Sequence, residues 1–459
     1  MPHDCSFLRE LSLADDQVSV APADRDDYAT DYGTTAADAS APDAVVYPES
    51  REDVAAVLAA ANERGVPVTP YAAGSGTEGH AVPVRGGVTL AMERMDRVLD
   101  VRPDDLQVDV QPGVVGDDLN EHVASRDLFF PAFPQSAAFS TVGGMIATDA
   151  SGTRTVKYGE VREWVRELDV VTADGRTLTL GNRATKTSAG YNLRDLFVGS
   201  EGTLGVVTRA TLELAVRPAE TLGGRAVFPT LADATAAVTD VRRAGVDVAT
   251  LELVDALTAD IANSYTGAGL PDAPTVFFEL HGRALDAERD RLREIFERHD
   301  AARVDASADD EEMADLWAAR RDVGRALQAY DENRVLQTAG DVTVPLGSYA
   351  DIVRYIGAVG DEYDLPIPAF GHAGDGNAHY AVLVDPDDPD EVERGHEASA
   401  DIVREAVRLG GTCTGEHGVG RGKRDYLADE LADETLDAMR DVKELFDPEG
   451  ILNPGKVFQ

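Results

Sequence analysis

Apolar and polar positions change their spacing several times along the chain, and each spacing predicts an element. Ala44-Val45-Val46-Tyr47-Pro48 is a short apolar run and reads as a strand. Ser50 to Arg64 then repeats apolar residues at helical spacing, with Ser50 as N-cap and Asp53 three residues on. Val66-Pro67-Val68-Thr69-Pro70 predicts a second strand, which runs into Tyr71-Ala72-Ala73-Gly74-Ser75-Gly76-Thr77-Glu78-Gly79, a loop of small residues. Strands at Leu168 to Thr172 and Thr177 to Leu180 are joined by the turn Ala173-Asp174-Gly175-Arg176, and Leu196 to Thr208 reads as a strand-like segment punctuated by glycine. Beyond Arg217-Pro218 the pattern changes. Val227 to Ala244 and Leu285 to His299 read as amphipathic helices flanking a strand at Thr275 to Leu280, and Trp317, Arg320 and Gly324 share a face of one helix. Helices and strands in this mixture predict an α+β fold of two or three domains.

Composition changes the picture in one respect. With 84 acidic against 42 basic residues the formal charge is -42, which makes nucleic acid and anionic membrane surfaces poor partners. Hydrophobic residues still make up 43% of the chain, so disorder is a poor explanation and adaptation to molar salt the preferred one. The acidic runs Asp309 to Glu312 and Asp385 to Glu393 read as solvated loops or helix starts. Cys5 and Cys413 are the only cysteines, too few for a disulfide framework or a cysteine-ligated cluster. No signal peptide and no apolar stretch of about 18 residues is read, and the expected location is cytoplasmic.

The candidate chemistry lies in two late loops. Gly371-His372-Ala373-Gly374-Asp375-Gly376-Asn377-Ala378-His379 and Gly411-Thr412-Cys413-Thr414-Gly415-Glu416-His417-Gly418 hold three histidines and a glutamate among glycines. His372, His379 and Glu416 have the ligand chemistry of a divalent metal site, zinc, manganese or iron, with His417 and Asn377 beside it as a base and an amide. A structural metal site with no open position is the competing reading. The loop at 73–79 can wrap a pyrophosphate with backbone N–H groups, although it lacks the G-x-G-x-x-G of a dinucleotide fingerprint. A second glycine-rich run, Pro134 to Gly159, and the one at Leu196 to Thr208 suggest a single large ligand lying across this part of the chain.

Five segments together resemble the FAD-linked D-2-hydroxy-acid dehydrogenases of the vanillyl-alcohol-oxidase superfamily, in the branch of D-lactate dehydrogenase and the glycolate oxidase flavin subunit. They are GHAGDGNAHY at 371–380, GTCTGEHGVGRGKRDYL at 411–427, LFVGSEGTLGVVT at 196–208, TVGGMIATDASGTRTVKYG at 141–159 and FDPEGILNPGKVF at 446–458. The resemblance spans roughly residues 40–458 and implies a two-subdomain FAD-binding domain with an α+β cap carrying an antiparallel sheet. The boundaries expected are a leader at 1–38, the FAD domain at 39–218, the cap at 219–430 and a returning segment at 431–459.

It further implies that Pro70, Ala73, Gly74, Ser75, Gly76, Thr77 and Gly79 hold the FAD pyrophosphate, while Pro134, Gly143, Gly144, Thr148, Ser151, Gly152, Tyr158, Val206 and Asn453 line the rest of the cofactor. Thr77 stands where relatives that tether flavin carry a histidine, so FAD is expected to be non-covalent, with His80 just outside that position. By the same resemblance His372, His379 and Glu416 bind the metal, Arg320 and Asn377 hold the substrate, and His417 is the base. The implied activity is oxidation of a small D-2-hydroxy acid, D-lactate favoured and glycolate the alternative, with electrons passed to a carrier or iron–sulfur partner other than NAD. A non-catalytic flavin-binding subunit is the contrasting expectation. A homodimer and peripheral attachment to a membrane through an electron-acceptor partner are compatible with the leading expectation, the dehydrogenase. Asp149 departs from the family pattern by placing a carboxylate inside the flavin motif, and Gly324 offers no hydroxyl on the Arg320 face, which favours a small acid.

Overall fold

The computed structural model describes residues 2–35, 37–267 and 269–458. The chain divides into two compact units, one made of Met1–Gly152, Glu160–Arg217 and Glu416–Gln459, the other of Thr153–Gly159 and Pro218–Gly415. Both mix helices with sheets in the α+β manner expected. The C-terminal return begins at Glu416 rather than 431, and Thr153–Gly159 departs from its sequence neighbours to join the second unit. Residues 1–38, expected as a separate leader, belong to the first unit, where Phe7 and Leu8 are buried against Val54 and Leu58.

In the first unit a four-stranded sheet has the order Val18–Ser19, Ala44–Val46, Val88–Ala91, Val68–Tyr71. The last three pair in parallel. Ala44, Val45 and Val46 are all fully buried, which is why this segment reads as an unbroken apolar run instead of an alternating one. The helix Arg51–Asn62 follows, started by the expected cap: Ser50 Oγ accepts from the Asp53 amide at 3.1 Å while Asp53 Oδ2 accepts from the Ser50 amide at 3.1 Å. A five-stranded antiparallel sheet has the order Val98–Arg102, Gln107–Val110, Val206–Glu213, Val165–Val171, Thr177–Gly181. The returning tail joins the parallel sheet at its edge, with the Val68 amide donating to Ile451 O at 2.8 Å and the Asn453 amide to Val68 O at 2.8 Å.

The segment 196–208 is less extended than its composition predicts. Leu196 and Phe197 end a helical turn at Arg194–Phe197, and the strand starts only at Val206. Gly199, Glu201 and Gly202 all have positive φ, a left-handed run that breaks any extended segment. Pro134–Gly159 likewise contains a short helix, Val142–Thr148, whose Val142, Met145 and Ile146 are buried.

The second unit is built on a seven-stranded antiparallel sheet of order Arg303–Ser307, Glu220–Val227, Thr275–Gly282, Val248–Val254, Ala369–Gly371, Asn377–Val384, Val335–Thr343. Val227 closes a strand instead of opening a helix. Pro229 intervenes, and the helix Leu231–Arg243 begins behind Thr230, whose side chain accepts from the Asp233 amide. Trp317 and Arg320 share the helix Asp310–Arg321, but Gly324 lies on the next one, Val323–Gln328, because the chain breaks at Asp322. Both acidic runs are helix starts: Asp309 and Asp388 accept from amides in the first turns of Asp310–Arg321 and Pro389–Arg408.

Candidate active site

The loop at 73–79 leaves the edge strand Val68–Tyr71, and its carbonyls are tied down: Tyr32 N donates to Gly74 O at 2.8 Å and Gly33 N to Gly76 O at 3.2 Å. The amides of Ala73, Gly74, Ser75, Gly76, Thr77 and Gly79 donate to no carbonyl or side chain among the described residues. A loop fixed through its carbonyls and open through its N–H groups suits a pyrophosphate, since it supplies donors without a cation. Thr77 Oγ1 is also buried without a hydrogen bond among the described residues. Ser75 Oγ accepts from Ser140 Oγ at 2.9 Å.

The other expected cofactor residues divide. Pro134 and Gly152 are in contact, since a Cβ on Gly152 would lie 2.9 Å from Pro134 Cα, and Gly144 approaches Ala72 in the same way at 3.1 Å. Gly143 spends its amide on Pro112 O at 2.7 Å, and Thr148 Oγ1 donates to Gly144 O at 3.2 Å. Pro70 packs against Gly202. Val206 is buried in the apolar cluster with Leu90 and Val171. Tyr158 belongs to the second unit, and its hydroxyl lies 3.0 Å from His281 Nδ1. Asp149 does not carry a bare charge into the flavin motif: its Oδ1 accepts from the Arg162 amide at 2.9 Å and its Oδ2 pairs with Arg162 Nε.

Asn453 is fully employed. Its Nδ2 donates to His80 O at 3.0 Å and Glu201 O at 2.8 Å, and its Oδ1 accepts from Lys456 Nζ at 3.2 Å. It clips the end of the phosphate-type loop to the Gly-Ser-Glu-Gly turn. Glu201 in turn accepts from the amides of Val419 at 2.7 Å and Gly420 at 2.8 Å, just past His417. The buried His80 ring fits between these loops, with Nε2 3.5 Å from Glu201 Oε2. A Cβ on Gly418 would come within 2.9 Å of both His80 Nε2 and Glu201 Oε1, so the close approach there requires glycine. Composition offered no signal for Glu201 or Lys456 beyond an isolated charge in a glycine turn and in the tail. In the same unit Glu416 Oε2 accepts from Ser151 Oγ at 3.1 Å, and His417 Nδ1 lies 3.7 Å from Glu78 Oε1, which Lys423 Nζ also approaches at 3.7 Å.

In the second unit the sheet register assembles the rest. Asn377 and His379 alternate with Ala378 on the strand Asn377–Val384 and so face the same way. Asp341 lies directly opposite His379 and Thr343 opposite Asn377. Asn377 Nδ2 accordingly donates to Asp341 Oδ1 at 2.6 Å and to Thr343 Oγ1 at 3.0 Å, while Asn377 Oδ1 is buried without a hydrogen bond among the described residues. Gly415 passes so close that a Cβ there would overlap Asn377 Nδ2 and Thr343 Oγ1. His372 follows the strand Ala369–Gly371, and its Nε2 lies 3.4 Å from His379 Nε2 with the rings perpendicular. Two nitrogens bound about 2.1 Å from one tetrahedral ion stand about 3.4 Å apart, so the pair fits a shared metal.

Glu252, at the centre of the buried strand Val248–Val254, is the largest omission of the sequence reading. Its Oε1 lies 2.7 Å from His372 Nδ1, and its Oε2 accepts from Arg320 Nε at 3.0 Å and Nη2 at 2.5 Å. Burial pushes this carboxyl up, but His372 and Arg320 outweigh it and leave the group below the usual carboxylate range. Arg320 is itself buried, with its guanidinium 5.4 Å from the Phe370 ring centroid. The signal available was a lone acid inside Val-Ala-Thr-Leu-Glu-Leu-Val, since an unpaired charge is not buried in an apolar strand.

Comparison with known proteins finds two family models along the chain. Residues 42–181 match an FAD binding domain and residues 217–457 the C-terminal domain of FAD linked oxidases. The chain is 38% identical over 431 residues to the glycolate oxidase subunit GlcD of Bacillus subtilis, covering 93% of this chain and 91% of that one. It is 37% identical over 450 residues to a probable mitochondrial D-lactate dehydrogenase of Danio rerio, covering 97% and 90%. The solved structure of p-cresol methylhydroxylase shares the fold at a TM-score of 0.81 and 20% identity, over 98% of this chain and 95% of that one. With both family models and relatives of this similarity spanning nearly its whole length, the chain belongs to the FAD-linked oxidases.

Proposed function

We propose that the protein oxidises a small D-2-hydroxy acid, D-lactate first among them, to the 2-oxo acid and passes the electrons to an acceptor other than NAD. The observation that carries this reading is the His372–His379 pair at 3.4 Å beside the buried, unpaired Asn377 Oδ1, in a chain similar throughout to a probable D-lactate dehydrogenase. FAD, held non-covalently, supplies the two-electron acceptor for the hydride leaving Cα. His372 and His379, with Glu416 as the third ligand that the resemblance implies, would hold a divalent ion, which would supply Lewis-acid polarisation of the hydroxyl.

The chain's own groups do the rest. His417 takes the hydroxyl proton; its Nδ1 lies 3.7 Å from Glu78 Oε1 and its Nε2 4.0 Å from Glu416 Oε1. Arg320 meets the substrate carboxylate through its planar guanidinium, which Glu252 holds in place. Asn377 cannot turn its amide away from Asp341, because a carboxylate only accepts, and so its Oδ1 is left as an acceptor at the substrate site.

Glycolate is the second reading, favoured by the 38% identity to a glycolate oxidase subunit. An anaerobic visible spectrum of the purified protein, before and after D-lactate, L-lactate and glycolate, separates the two. Bleaching of the flavin band by D-lactate alone supports the first; bleaching by glycolate alone supports the second. A yellow protein that no 2-hydroxy acid bleaches is a non-catalytic flavin subunit, and a protein that neither carries nor takes up FAD ends both readings.

A further inference from the structure

We propose that Glu252 is the positioning residue of this site: its one carboxylate holds His372 as the Nδ1–H tautomer through Oε1 and fixes the Arg320 guanidinium through Oε2. The proposal rests on the reading of His372 as a metal ligand and of Arg320 as a substrate residue, and it adds that the two are set by the same side chain.

Three observations carry it. Glu252 has no solvent exposure and sits in a strand whose every residue is buried. A carboxylate in that position is costly unless both oxygens are satisfied, and here they are, one by each partner. The 2.7 Å contact to His372 Nδ1 decides the proton. A carboxylate offers only acceptors, so Nδ1 carries the hydrogen and Nε2 keeps its lone pair, directed at His379 Nε2 3.4 Å away. The strand register explains why the arrangement is rigid: Leu253 pairs with Gly371, so Glu252 on its strand and His372 just past the end of the neighbouring one are each one residue from a ladder pair. Asp341 stands to His379 in a looser version of the same relation, 3.8 Å from its Nδ1. Carboxylates behind ligating histidines orient the ring and raise its basicity, and their loss typically weakens metal binding about 10–100-fold.

The test uses the full-length, flavin-loaded protein and the variants Glu252→Gln and Glu252→Asp, with an unchanged visible flavin spectrum as the check on folding. Nitrogen-15 NMR of labelled histidine, with His372 assigned by His372→Ala, reads the tautomer without any metal present. Calorimetric titration with Mn²⁺ reads affinity, and steady-state kinetics separate KM from kcat. The expected result is an Nδ1–H ring in the wild type that changes in Glu252→Gln, a Kd for Mn²⁺ raised about 10–100-fold, a raised KM for the acid, and partial recovery in Glu252→Asp. A His372 tautomer, Mn²⁺ affinity and KM that are all unchanged in Glu252→Gln would overturn the proposal. If the wild type binds no Mn²⁺, the metal reading falls by itself, and the tautomer comparison still decides the role of Glu252.

Discussion

The two regions that carry the chemistry are made in opposite ways. In the first unit the loop at 73–79 works through backbone: glycines, open amides and carbonyls tied to Tyr32 and Gly33. In the second, the candidate side chains are placed by strand register, with Asp341 opposite His379 and Thr343 opposite Asn377. A backbone site tolerates changes of side chain but not of shape; a side-chain site tolerates neither a lost ligand nor a shifted strand. The returning segment from Glu416 contributes its own side-chain chemistry through His417, within the backbone-built unit.

The sharpest way to break this contrast is His417→Ala. If side chains carry the chemistry, kcat should fall by about 10²–10⁴, the usual contribution of a general base, with FAD and metal content unchanged. Loss of flavin in place of rate would make His417 part of the backbone scaffold and erase the distinction.

Removing the clip tests the other side. Asn453→Ala leaves Lys456 Nζ without its Oδ1 acceptor and strands the His80 and Glu201 carbonyls, at a cost of about 1–3 kcal/mol for buried polar groups left unpaired. Weaker FAD retention and a lower Tm are expected with kcat per bound flavin nearly constant. A fall in kcat at full flavin occupancy would mean that Asn453 acts on the reaction itself.

The same contrast explains what could be read beforehand. Glycine loops leave a trace in sequence, and so do His372, His379 and His417, because histidines set among glycines stand out locally. The Ser50 capping box was legible for a similar reason: both partners lie within one turn. Glu252 was not, because its partners are 68 and 120 residues away and only the strand pairing brings them together. Nor was the break at Asp322 that takes Gly324 off the Arg320 helix, or the assignment of Tyr158 to the second unit, where its hydroxyl meets His281. Asp149 looked like a charge beside the flavin until its Arg162 partner was in view. Long-range pairing decides each of these, and local spacing is blind to it.

The last effect expected is particular to the backbone-built unit. Lys456 is 2% exposed, donates to Val82 O at 2.6 Å, and has its ammonium pulled down from an ordinary 10.5 to about 7, first by burial and then by the nearby Arg421 charge, against the pull of Asp31 and Glu201. Between pH 7 and 10.5 the unfolded chain therefore holds a proton that the folded chain has released. Stability rises with pH across that window, by at most about 1.4 kcal/mol per pH unit from this group, and below pH 7 the cost of burying the charge is present in full. Urea unfolding at several pH values in constant salt, for the wild type and Lys456→Met, isolates the contribution as a difference of slopes. The wild type should gain stability more steeply than the variant between pH 7 and 10; parallel slopes would mean that the ammonium stays charged in the fold, held by Val82 O and Asn453 Oδ1, and that the tail is fastened to the loop by a cation after all.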